Sequence, residues 1–136
     1  MVQFGCLWES RLMITLSADR QSLVGVDLFW GSRMSGTFKI IAEPISSESI
    51  LLRIGFGDAA ENHRIVTDAE QAIRDLQLPG GRLVKFNGRA SLPVAMVLCH
   101  AVAHLYAAVA VFDPKLSKYV VCVSHDPACP IGTLVD

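Results

Sequence analysis

Apolar positions along this chain fall into two alternating periods from Thr37 onward. Phe38 to Ala42 and Ile50 to Phe56 are apolar runs of strand length, separated by Pro44 and a Ser-rich turn, and they predict an antiparallel pair. Ile65, Ala69, Ile73 and Leu76 then keep helical spacing, with Asp58 as the expected cap and Pro79-Gly80-Gly81 as the stop. Leu83 to Phe86 reads as a short buried strand. A second helix is expected from about Ser91 to Tyr106. Ala107 to Phe112 and Tyr119 to Ser124, rich in valine and bounded by polar turns, complete the set as two further strands.

The resulting order, ββαβαββ, predicts a small α/β domain: a mixed sheet of about five strands with two main helices, ferredoxin-like or distantly Rossmann-like. The stretch from Leu83 to Phe112 is long enough for a parallel, right-handed strand-helix-strand crossover. Residues 1–36 differ in character. They hold both tryptophans, Trp8 and Trp30, lack sustained periodicity, and include a second methionine, Met34, just after Gly31-Ser32-Arg33. We read them as an extension and residues 37–136 as the domain proper, with Met34 as an alternative start. The rival reading places a strand pair, Leu12 to Leu16 and Leu23 to Phe29, against the domain.

Composition narrows the class. With 51% hydrophobic and 18% charged residues the chain is too apolar to be disordered, and one domain of this size holds a single real core. The surplus of apolar surface favours a homo-oligomer over a monomer. A net charge of −1 and scattered Lys and Arg give no basic stripe, which argues against a binder of long DNA or RNA and leaves a small phosphorylated ligand compatible. Cys6, Cys99, Cys122 and Cys129 show no CxxC spacing, and with no signal peptide they read as reduced structural thiols in a cytoplasmic protein. The apolar run Pro93 to Tyr106 is too short to span a bilayer and is interrupted by His100 and His104.

Polar residues cluster where elements stop. In a parallel crossover, the end of the first strand, the start of the helix and the end of the second strand share one edge of the sheet, where open α/β sheets bind ligands. Asn87, Ser91, Asp113 and Lys115 fall on that edge. The Asn87 to Ser91 turn enters a helix N-terminus, whose unpaired N–H groups attract anions. Gly88 permits close backbone approach, Arg89 offers a charge-assisted hydrogen bond, and Ser91 is either an N-cap or a phosphate donor. Asp113-Pro114-Lys115 also fits an ordinary type I turn closing a hairpin.

His104 and His125 belong to the opposite end. If Phe112 faces Tyr119, counting back puts His125 beside Tyr106, near the end of the helix that carries His104. The two ends are then roughly 20 Å apart, at about 3.3 Å per strand residue. A site using both would be composite, formed when two molecules stack. His100 shares a helix face with His104 but lacks the further donors a metal needs, and burial with a satisfied ring nitrogen is the expected role. His63 reads as a solvated surface residue.

Asn87-Gly88-Arg89-Ala90-Ser91-Leu92-Pro93, His104, Val109-Ala110-Val111-Phe112-Asp113-Pro114-Lys115, Ser124-His125 and Gly132-Thr133-Leu134-Val135-Asp136 together resemble the CRISPR-associated Csx3 proteins of type III systems, also called Crn-type ring nucleases. The resemblance covers roughly Thr37 to the C-terminus. It implies a dimer that sandwiches cyclic tetraadenylate between stacked dimers, a tetramer in all, and cleaves this second messenger to switch off CRISPR signalling. It also implies manganese as cofactor. By position, His104, Asp113 and Lys115 match the catalytic motif. His125 matches a metal-associated position, Asn87, Gly88, Arg89 and Ser91 fall in the ligand loop, and the Asp113 carboxylate is suited to hold a manganese ion with His125 or to orient a hydroxyl. This chain departs from the pattern in Lys115, where some branches carry Arg, and in Ala90-Ser91-Leu92, which replaces a glycine before the proline. Two other functions fit the same residues: a manganese-dependent exonuclease (deadenylase) acting on the 3′ end of short RNA, and a non-catalytic sensor of the cyclic nucleotide. Lack of a basic tract argues against the first. Retention of Asp113, Lys115 and both histidines argues against the second.

Overall fold

The computed structural model describes Arg33, Met34 and residues 36–136. The strands are β1 (Arg33–Met34), β2 (Phe38–Pro44), β3 (Ser49–Phe56), β4 (Gly81–Gly88), β5 (Tyr106–Asp113), β6 (Lys118–Ser124) and β7 (Leu134–Val135), and the helices are α1 (Asn62–Asp75) and α2 (Leu92–Ala103). The supposed strand pair between Leu12 and Phe29 lies outside the described residues, as does Cys6. Arg33 and Met34 pair antiparallel with Ile40 and Lys39, so the sheet already includes residues that precede Thr37.

Period-two burial makes β2 what the sequence predicts: Phe38, Ile40 and Ala42 are buried while Lys39 and Ile41 are exposed. A tight turn closed by the Ile45 and Ser46 amides donating to Ser49 O returns the chain into β3. Pro44 is tolerated because β1 pairs with the outer side of β2 only at Lys39 and Ile40, so among the described residues no ladder partner faces Pro44 there.

The expected caps need two corrections. Asp58 does not open α1. Its amide donates to Gly36 O at 2.5 Å and that of Gly57 to Thr37 O at 2.9 Å, extending the β2–β3 ladder past Phe38 and Phe56. The N-cap is Glu61, in extended conformation and without a side-chain bond, and α1 stops at Asp75, with Gln77 taking φ 47° ahead of Pro79. The second helix ends at Ala103 with His104 as C-cap rather than reaching Tyr106, because the Leu105 carbonyl is claimed by the Gly81 amide and Tyr106 already begins β5.

Consecutive strands lie side by side in the order β1-β2-β3-β4-β5-β6-β7. The centre, β3-β4-β5, is parallel, and the margins are antiparallel. Among the described residues the domain is α/β, with five main strands and two helices as expected, plus two short strands at the margins that carried no sequence signal. Both helices pack on one face, where Phe38, Ile40, Leu52, Val84, Val94, Leu98, Val102 and Val109 are at most 1% exposed. On the other face Ala108, Ala110 and Val121 form a smaller core, closed by Cys129 and Val135 from the C-terminal segment. No helix among the described residues is long and apolar enough to cross a membrane.

Candidate functional site at the two ends of the sheet

One edge gathers the C-terminal ends of the parallel strands and the start of both helices. Here the Asn87 to Ser91 loop is clamped against β3. Gly88 takes φ 137°, a Cβ on it would fall 1.8 Å from Ile54 O, and the Arg89 amide donates to that same carbonyl at 3.2 Å. Only glycine fits this approach. Ser91 is the N-cap of α2: its Oγ accepts from the Val94 amide at 3.4 Å and donates to Asn62 Oδ1 at 2.8 Å. Of its two expected roles, capping is the one the fold uses. Pro93 follows in the first turn, where its missing N–H costs nothing.

The second loop at this edge is a hairpin turn between β5 and β6. Asp113 Oδ1 accepts from the Lys115 amide at 2.8 Å and the Leu116 amide at 3.2 Å, and Ser117 at φ 51° leads back to Lys118, which pairs with Asp113. One carboxylate oxygen of Asp113 therefore shapes the turn that presents Lys115. Neither Lys115 nor Arg89 has a carboxylate partner among the described residues, so both cations are open to an anion beside the N-termini of α1 and α2. Asn87 sits on the helix-free face of β4 and donates through Nδ2 to the Tyr119 hydroxyl at 3.2 Å. Tyr119 in turn lies 5.3 Å from the Phe112 ring and under Lys85 Nζ at 5.0 Å. Sequence reading found Asn87 and missed Tyr119, because β5 intervenes between their strands and no local pattern links them.

The imidazoles occupy the other edge. His104 is exposed at the C-cap of α2, with its ring edge-on to that of His100 at 5.7 Å and 88°. His100 is exposed too, which corrects the expected burial: α2 turns that face away from the core. His63 is exposed as expected, 3.4 Å from Glu61. His125 Nε2 lies 3.1 Å from Ala103 O, which can only accept, so this nitrogen is the donor of that bond. The register of β5 and β6 begins as expected, with Phe112 opposite Tyr119. It then slips by one residue between Val109 and Ala110, leaving Cys122 unpaired. That bulge brings the His125 amide to Ala107 O, at 2.8 Å, instead of Tyr106.

The eight residues of β5 separate these edges, a span of more than roughly 20 Å. The structure thus joins Arg89, Ser91, Asp113 and Lys115 at one end and His100, His104 and His125 at the other, and brings neither set to the other within one chain. Asp113 and His125, the two residues expected to hold the metal, are among those kept apart. No group of three His, Cys, Asp or Glu side chains suited to a metal occurs among the described residues. A manganese ion does not fit the donors that a single chain assembles.

Comparison with protein families bears on this arrangement. A search of curated proteins found no match. The family model described as CRISPR-associated protein (Cas_csx3) matches residues 61–136, which is more than half of the chain and includes both helices, both loops and all three histidines of the far edge. The chain belongs to the CRISPR-associated Csx3 family.

Proposed function

We propose that this protein is a ring nuclease that binds cyclic tetraadenylate between stacked molecules and cleaves it, ending type III CRISPR signalling. The observation that carries this reading is the separation of two complementary half-sites by the length of β5: open cations at one end and imidazoles at the other. Such half-sites complete each other when the Lys115 end of one molecule meets the His104 end of the next. A ring of four phosphodiesters is compact enough to lie between two such ends.

Cutting a phosphodiester needs an oriented attacking oxygen, a proton acceptor and positive charge on the phosphoryl oxygens. The exposed His104 ring takes the proton of the attacking hydroxyl as its oxygen bonds to phosphorus, the P–O bond to the 5′ oxygen breaks, and that departing oxygen takes a proton from water. Lys115, held forward by the Asp113 turn, neutralises charge gathering on the phosphoryl group, with Arg89 and the α2 N-terminus supporting the neighbouring phosphates. Asp113 acts first by fixing that turn. A manganese ion shared by Asp113 and His125 would need the ends of two molecules to meet, and no step here depends on it.

Incubating the protein with labelled cyclic tetraadenylate and with linear polyadenylate, each with and without manganese, tests the assignment. Ring opening without shortening of the linear strand is expected. Manganese-dependent shortening of the linear strand would replace this reading with the exonuclease, and tight binding of the ring without cleavage would replace it with the sensor.

A further inference from the structure

α2 is apolar around its whole circumference, yet its outer face is bare: Leu92 is 75% and Met96 66% exposed. A helix of that kind is normally covered. Between this face and α1 runs a cleft of about 670 Å³, within the roughly 300–1,000 Å³ usual for small-ligand sites. Its walls include Met96, Val97, His100 and His104 from α2, and Glu70 and Arg74 from α1. Its lining runs from Val66 and Met96, in the first halves of the two helices, to Arg74 and His104 at their ends.

We propose that this cleft seats an adenine base of the ligand whose phosphate lies at His104, an inference that rests on the ring-nuclease reading. Unstacked bases are held by aromatic rings or guanidinium planes together with apolar contacts. The cleft supplies each kind. His100 presents an exposed imidazole next to His104. Arg74, in the lining, donates through Nη2 to Glu70 Oε1 at 2.6 Å, one turn away on α1. Met96 and Val97 give a polarisable, apolar floor. Glu70 keeps its second oxygen to accept from the exocyclic amine of adenine, a donor that a uracil or hypoxanthine base lacks. The exposed His100 and His104 rings in the same lining offer N–H donors to the backbone that must follow the base.

The test uses the full chain carrying ¹³C-methyl methionine and Lys115→Ala, which slows turnover, titrated with cyclic tetraadenylate. Met96→Leu assigns the resonance. The Met96 methyl should move saturably with ring concentration. In the otherwise native protein, Met96→Glu and His100→Ala should each raise KM for the ring about tenfold or more, the usual cost of losing a stacked base, and change kcat less. Met96 is exposed, so Met96→Glu leaves the core intact. A ring that is cleaved by the native protein while the Met96 methyl stays still and Met96→Glu keeps its KM would overturn the cleft assignment alone. Native protein that neither binds nor cleaves the ring would overturn the ring-nuclease reading and this inference with it. Loss of assembly in Met96→Glu, with a methyl indifferent to the ring, would reassign the cleft to a second copy of the chain.

Discussion

The two ends of the sheet use their polar residues in opposite ways. At the Lys115 end, most of the side chains that looked like ligand donors are building the loops: Gly88 lies against Ile54 O, Ser91 caps α2, and Asp113 ties the turn. What remains free there are cations, Arg89 and Lys115. At the His104 end the imidazoles lie at the surface, and only His125 is anchored, to Ala103 O. On the proposed function, the first end is the cradle for the phosphates and the second supplies the proton acceptor. Neither is a complete catalytic site, and that incompleteness is the strongest physical argument that the chain works as an assembly.

Substitutions at the two ends should therefore fail differently. His104→Ala should fold normally, since the side chain is exposed, and lose about 10²–10⁴ in kcat for ring cleavage, the usual contribution of a positioned acid or base. Gly88→Ala should instead fail as a fold. Overlap with Ile54 O and the positive φ together predict a stability loss of about 2–4 kcal/mol, visible as a lower denaturant midpoint. Asp113 divides the two kinds of effect. Asp113→Ala removes the acceptor for two turn amides and should cost about 1 kcal/mol, whereas Asp113→Asn keeps an acceptor oxygen and should stay near the native midpoint. If both variants unfold alike, the turn does not depend on that oxygen.

The smallest expected effect lies at the histidine end, beneath the surface. Tyr106 is buried, and among the described residues its hydroxyl meets no partner in full hydrogen-bond geometry, although the Gly80 backbone lies near. Burial pushes its pKa up to about 12, the Gly80 backbone partly offsetting this. Tyr106→Phe removes a polar group that folding leaves unpaired, so stability should be unchanged or higher by up to about 1 kcal/mol. A clear loss of stability would show that the hydroxyl has a partner worth keeping.

Much of this arrangement is legible in the sequence because it follows local rules. Alternation in β2 and four-residue spacing in α1 fix the elements, and the crossover rule sends Asn87, Ser91, Asp113 and Lys115 to one edge. The polar turns made both loops visible. What the residues do there was less visible, since a serine before a helix reads equally as cap or ligand, and it takes the Val94 and Asn62 contacts to show the cap. Pairings across strands left no local mark: the Asn87–Tyr119 bond spans β5, the bulge at Cys122 shifts His125 by one residue, and the two-residue strands are too short for a period. Asp58 misled because a residue that continues a ladder has the same type as one that starts a helix.

The central claim, that the site is completed by two molecules, is tested most directly by mixing. His104→Ala and Lys115→Ala proteins are each expected to be inactive on cyclic tetraadenylate. Combined in equal amounts and allowed to exchange, they should recover about a quarter of native activity, the chance that a head-to-tail junction pairs an intact histidine end with an intact lysine end. No recovery, with both variants folded and assembling together, would place the catalytic groups within one chain and contradict the separation along β5 on which this account rests.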